Sequence, residues 1–506
     1  MEAKEWRRGN LKHYPKNIPL PPFPCLIPLL TPIVKTPRSS ITRRDFVSQI
    51  GGGFGSVALA CLLQEQGLLA AGAPRVPHHR PRAKQVIQLF MLGGASQCDT
   101  FDYKPELQRR GGEKVNFTVT GGTAATAGPL LKSPWEWRQH GQCGRWVTGA
   151  LPHLAQCVDD MAFLMAMNAP TSEHSAGQTM QTSGFVIPGF PTVGAWVSYA
   201  LGNLTDNLPV FVALPDPVGL PWTGKAAWTN GFLPALHQGT MLNPSAENPV
   251  PDLFAPKSAG FVNAASERDG LDLLAKLNRA QLQPGDSRME ARIASYELAA
   301  RMQLAVPEVL DLRGETAATK QLYGFGNDKT EPLGRNCLIA RRLIERGVRF
   351  VQLWCGSGLA GASGNWDNHG DITPGSDFEK MCVRSDKPIA GLLHDLKTRG
   401  MLEDTIVLWT TEFGRTPYSQ GSKGRDHNGN TFVSWMAGGG IKGGTTHGES
   451  DEFSFKAARD TTMCYDQHAT LLHLLGFEHD KLTFRHNGAD RRLTDVHGHV
   501  IHDILA

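Results

Sequence analysis

Six short apolar runs, none alternating with polar residues, constrain this 506-residue chain more than any other feature. They are VIQLFML (86–92), MAFLMAM (161–167), VFVAL (210–214), RFVQLW (349–354), TIVLWTT (405–411) and FVSWMAG (432–438). A strand with one wet face alternates in polarity. A strand that is apolar throughout is covered on both faces, and the usual cover is helices over a parallel sheet. Helical patterns lie between several of the runs. SRMEARIASYELAARMQLA (287–305) is amphipathic, NCLIARRLIERG (336–347) ends at a glycine, and KPIAGLLHDLKTRGMLEDT (387–405) opens at a proline and breaks at Gly400. The chain is therefore predicted to be α/β, with a mostly parallel central sheet flanked by helices. One domain is expected over 84–506, with a loop-rich, Pro/Asn-rich insertion at approximately 215–286.

Composition narrows the function classes. At 41% hydrophobic and 20% charged residues the chain is globular material. The net charge of +3 comes from the first 73 residues, which hold nine Lys/Arg against four Asp/Glu and leave 42 basic and 44 acidic residues behind them. A near-neutral body without Lys/Arg runs or zinc-finger spacing argues against nucleic acid. Within that basic leader, ITRRDFVSQIGGGFGSVALACLLQEQGLLAAGA carries paired Arg43 and Arg44, an uncharged stretch, and the small residues Ala71-Gly72-Ala73. That is the layout of an export signal, and TRRDFV resembles the twin-arginine consensus. Residues 1–73 are expected to be an extension plus signal that engages the twin-arginine machinery, placing the protein in the periplasm or outside the cell. No run of 18 apolar residues marks a stable membrane span in the mature protein. The nine cysteines include no C-x-x-C, which excludes thiolate zinc and dithiol redox motifs.

In α/β sheets ligands sit beyond the carboxyl ends of the strands, so the chemistry is sought after each apolar run. The first is followed by GGASQCDTFDYKPEL, with Asp99 and Asp102 behind two glycines. The second is followed by NAPTSEHSAGQTMQTSG, where Ser175, beside His174 and Glu173, stands in position to open the helix AGQTMQTSG. A helix N-terminus favours anions, so Ser175 is a candidate nucleophile facing one, and equally a candidate N-cap. RFVQLW leads into CGSGLAGASGNWDNHGDITPG, in which Asp367 and His369 offer metal ligands and Trp366 a pocket wall. TIVLWTT leads to Glu412, Arg415, Arg425, Asp426 and His427 within sixteen residues. Taken together, four polar clusters at four strand ends point to a metal- or anion-binding site.

The order of these segments resembles the alkaline phosphatase and sulfatase superfamily. More closely, RRDF, LFMLGGASQCDTFDYKPEL, WDNHGD, TEFGRTP, GRDHN, WMAGGGIKGGTTHGESDEFSF and DQHATLLHLLGFEHDKLTFRHNGADRRLTDVHG resemble the bacterial, mostly exported family called domain of unknown function 1501. The resemblance covers nearly everything after residue 40. It implies an alkaline-phosphatase-like fold and hydrolysis of a small anionic ester, or of a sulfated or phosphorylated glycan, around a divalent metal such as zinc, manganese or calcium. Carried over residue by residue, it implies metal ligands at Asp99, Asp367, His369, Glu412, Asp426 and His427. Ser175, with His174 and Arg415, takes the catalytic role, and Arg425 and Trp366 touch substrate. The chain departs from the superfamily pattern in two ways. Phe413 stands where a ligand histidine normally follows the strand-end acid, and the C/S-x-P-x-R signature of formylglycine sulfatases is absent. A rival expectation is an exported protein that kept the fold, lost turnover, and binds glycans or partners.

Overall fold

The computed structural model describes residues 74–117, 128–251, 253, 264–281, 287–359 and 361–506. The basic leader with its paired arginines lies outside the described residues. Each apolar run is a strand: β1 (Gln85–Met91), β2 (Met161–Asn168), β3 (Phe211–Leu214), then the short β4 (Thr240–Met241), β5 (Phe350–Cys355) and β6 (Thr405–Thr410). A hairpin, β7 (Gly414–Gln420) and β8 (Gly424–Asn428), precedes β9 (Phe432–Ala437), β10 (Thr446–His447) and β11 (Thr462–Met463). The nine-stranded sheet runs β10-β2-β9-β6-β1-β5-β3-β4, with β11 also pairing β2. All these pairings are parallel except those of β9, which runs against both β6 and β2.

The unbroken hydrophobicity of the runs has the expected cause. Along β1, Ile87, Leu89 and Met91 join one core with α3 (Glu331–Glu345) and α4 (Asp377–Thr398). Val86 and Phe90 join another with α2 (Val193–Leu201) and α5 (Cys464–Leu474). Helices thus cover both faces, in three layers. Gln88 and Gln352, side by side in register, break the apolar run, and the Gln352 amide donates to Gln88 Oε1 at 3.0 Å.

Two expectations change. Pro388 lies inside α4 instead of opening it, because that helix has already begun at Asp377 with two acids in its first turn. There the proline removes a single backbone hydrogen bond. Gly400 stops the chain in the left-handed region as expected. The segment predicted to be loop-rich contains β4 and an 18-residue helix, Ala264–Gln281, that packs on the helix Ser287–Leu310. Among the described residues no helix is long and apolar enough to cross a membrane, and all seven cysteines are free.

Candidate metal centre

Parallel strands bring their carboxyl ends to one edge, and there the segments after β1, β2, β5 and β6 meet. The first helix after β2, His174–Ser183, is capped by Glu173, whose carboxylate accepts from the amides of Ser175 at 3.0 Å and Ala176 at 2.7 Å. The cap lies two residues before Ser175, the expected cap. It turns His174 inward, while Ser175 stays exposed with its hydroxyl against Glu173. The chain's own carboxylate therefore occupies the helix N-terminus where an anion was expected.

Three imidazoles converge on one carboxylate oxygen. Asp367 Oδ1 lies 2.8 Å from His369 Nε2, 3.0 Å from His427 Nε2 and 3.4 Å from His174 Nε2. His369 Nε2 and His427 Nε2 are 2.9 Å apart. In each ring the other nitrogen is held by an oxygen. His174 Nδ1 meets Glu412 Oε1 at 2.8 Å, His427 Nδ1 donates to the Ser172 carbonyl at 2.8 Å, and His369 Nδ1 meets Gln420 Oε1. A ring whose Nδ1 proton is fixed in this way presents an Nε2 lone pair, the arrangement of metal-ligating histidines. His174 Nε2 is buried and faces Asp367 Oδ1 at 3.4 Å.

His427 reaches the cluster because its hairpin is irregular. It stands opposite Arg415, and the register shifts between Arg425 and His427, a bulge that re-aims the side chain. Asp426, at the bulge, accepts from the His427 amide at 2.8 Å and lies 3.8 Å from His369 Nδ1. Glu412 Oε1 also accepts from Gly93 N at 2.8 Å, which ties the β1 and β6 loops together. Gly93 has φ +116°, and a Cβ there would stand 2.5 Å from the backbone nitrogens of Trp366 and Asp367. No other residue type lets the loops after β1 and β5 approach so closely.

The electrostatics follow from these contacts. Burial raises the Asp367 pKa, but hydrogen bonds from His174, His369 and His427 and the charge of Arg415 outweigh it and hold the carboxyl far below its usual range. Burial lowers His174, yet Asp367 and Glu412 overcome it and raise the imidazole to about 9. His427 is lowered, by burial first and then by the charges of Arg415 and His174. With Nδ1 held by the Ser172 carbonyl, His427 faces Asp367 Oδ1 through Nε2 at 3.0 Å, and a cation between the two would be bound by both. Donor separations of 2.8–3.4 Å lie within about half an ångström of the roughly 3.3 Å edge of a tetrahedron with ~2.0–2.1 Å bonds. Imidazole and carboxylate suit zinc or manganese better than calcium, which prefers an all-oxygen shell. The residues fit a metal ion.

Other expected site residues stand elsewhere. Asp99 and Arg425 form a fully buried ion pair at 2.6 and 3.0 Å. In this geometry neither offers a free group to the cluster. Arg415, expected to grip an anion, is buried; it donates to Asp367 Oδ1 at 2.6 Å and to the carbonyls of Gly93 and Gly94. Trp366 lies in the core against Phe378 instead of walling a pocket. That wall is Trp222, stacked on His174 with ring centroids 4.1 Å apart, together with Phe413, 5.0 Å from His174 and 4.7 Å from His427. Sequence reading missed Trp222, Gln420 and the Ser172 carbonyl, and no local pattern marks them.

Residues 83–505 match the family model described as "Protein of unknown function (DUF1501)". The chain belongs to that family. No curated protein matches it. Among solved structures, the chain is similar to the PsFucS1 sulfatase from Pseudoalteromonas sp., at 15% identity and TM-score 0.33 over 85% of this chain and 72% of that one. It is similar to alkaline phosphatase from the Antarctic bacterium TAB5, at 10% identity and TM-score 0.28 over 74% and 96%. It is also similar to the phosphonate monoester hydrolase of Agrobacterium radiobacter, at 12% identity and TM-score 0.31 over 78% and 74%.

Proposed function

We propose that this DUF1501 protein is an exported, metal-dependent hydrolase of phosphate or sulfate esters. The observation that carries the reading is the convergence of three imidazole Nε2 atoms on Asp367 Oδ1, each ring anchored through Nδ1. His174, Asp367, His369 and His427 would hold the ion. A divalent cation there would polarise an ester oxygen and stabilise the charge that develops on it. Glu412 keeps the Nδ1 proton of His174, and the Ser172 carbonyl keeps that of His427, so both rings stay oriented. Trp222 and Phe413 exclude water from one side. Ser175 attacks only after release from Glu173; otherwise the nucleophile is solvent water. The ester class rests on the resemblance of the strand-end motifs, and export on the twin-arginine-type leader.

A second reading, binding without turnover, is favoured by one feature. Glu173 already fills the helix amides that would receive an anion. Metal analysis of purified protein, with aryl phosphates and sulfates as substrates, separates the readings. The hydrolase reading expects bound metal and hydrolysis, both lost in His427→Ala. Bound metal without turnover on any ester supports the binding protein, and metal-free, inactive protein overturns the hydrolase.

A further inference from the structure

Two overlapping donor sets exist in this edge of the sheet: His174, Asp367 and His427, and His369, Asp426 and His427. Taken alone, two sets would hold two ions. Three observations count against it. Both sets need His427, whose Nδ1 is bonded to the Ser172 carbonyl at 2.8 Å, so it has one lone pair to give. If His369 turns its Nε2 to Asp367, the second set keeps only Asp426, because His369 Nδ1 is held by Gln420. Phe413, the residue after Glu412, presents a fully buried apolar ring to His174 and His427 and adds no ligand.

A fixed positive charge already stands in that space. Arg415 Nη2 is 2.6 Å from Asp367 Oδ1, and its Nη1 is 3.5 Å from His369 Nε2. The remaining N–H groups reach the carbonyls of Gly93, Gly94, Trp366 and Arg425, so the guanidinium cannot swing away. Charge counting agrees. The acids at the site are Asp367, Glu412 and Asp426, and one divalent ion plus one guanidinium balances them when the imidazoles are neutral ligands. A second divalent ion would leave two positive charges in excess in a partly buried site.

We infer that the site takes one metal ion, bound by His174, His369, His427 and Asp367, and that Arg415 is the built-in second cation. This rests on the metal-site reading above. The test is metal stoichiometry by mass spectrometry of the native full chain, stripped with chelator, reloaded with excess zinc or manganese and desalted. One equivalent per chain is expected, and Asp426→Asn should retain it. Two equivalents overturn the inference while leaving the metal site standing; none overturns both. Arg415→Met, checked for folding by circular dichroism, should titrate with a second, weaker equivalent, while Arg415→Lys stops at one. A folded Met variant that also stops at one removes the role assigned to Arg415.

Discussion

Asp99 separates a structural acid from a metal ligand. Its carboxylate accepts from Arg425 at 2.6 and 3.0 Å and from Ser96 Oγ at 2.5 Å, and both members of the ion pair are fully buried. The guanidinium has other partners, the carbonyls of Thr416 at 3.0 Å and Leu131 at 2.9 Å, but neither carries charge. Asp99→Asn keeps the shape and removes the charge, leaving a cation in a medium where isolated ions are very costly. Breaking such a pair from one side costs about 3–5 kcal/mol. In a body of this size that is a fall in melting temperature on the order of 5 °C. The assay is thermal unfolding of chelator-treated protein beside metal analysis of untreated protein. Lower stability with unchanged metal content is expected. Asp99→Leu combined with Arg425→Met should recover much of the loss, because neither charge is then stranded. A variant as stable as wild type that has lost its metal would refute the reasoning and return Asp99 to the ligand set.

His174 predicts two opposite pH dependences. Without metal its raised pKa, about 9 against 6.5 unfolded, gives a stabilising contribution that is complete below pH 6.5 and lost as pH rises to about 9. The stability difference between chelated wild type and His174→Gln should shrink by up to about 3 kcal/mol over that window, as read from urea unfolding. Metal binding must displace the Nε2 proton, so the association constant should rise about tenfold per pH unit up to pH 9 in calorimetric titrations. Glu412→Gln removes the charge that fixes His174 and should weaken metal binding about 10–100-fold, and chelated protein should lose part of the His174 stabilisation below pH 9. Gly93→Ala forces a Cβ to within 2.5 Å of Asp367 N. It should cost at least about 1–3 kcal/mol from backbone strain alone, and metal content should fall with melting temperature.

The strands were legible because continuous hydrophobicity has one physical cause, cover on both faces. The clusters after β5 and β6 were legible because parallel strands deliver their ends to a common edge. Partner choice was not. Asp99 looks like any strand-end acid until the fold brings Arg425, 326 positions downstream, against it. Trp222 lies in a Pro-rich stretch without periodicity, and only tertiary packing sets it on His174. The serine after His174 drew attention because serine is a favoured cap. Glu173 takes that place by bonding two amides at once, and the imidazole of His174, not the hydroxyl of Ser175, is turned toward Asp367.

The reversed direction of β9 bears on how this protein could be remade. A parallel neighbour would need a crossover of a dozen or more residues, with a length constrained by the sheet's thickness. Instead the chain leaves β6, forms the β7–β8 hairpin at the edge and returns through β9 without crossing a face. The exposed turn at Gly421-Ser422 therefore sits outside the sheet's spacing, while Arg415 and His427 are locked opposite each other at the hairpin's other end. That makes the turn a natural graft point. Loops of different length inserted there would reshape the rim of the site while the strands keep their register.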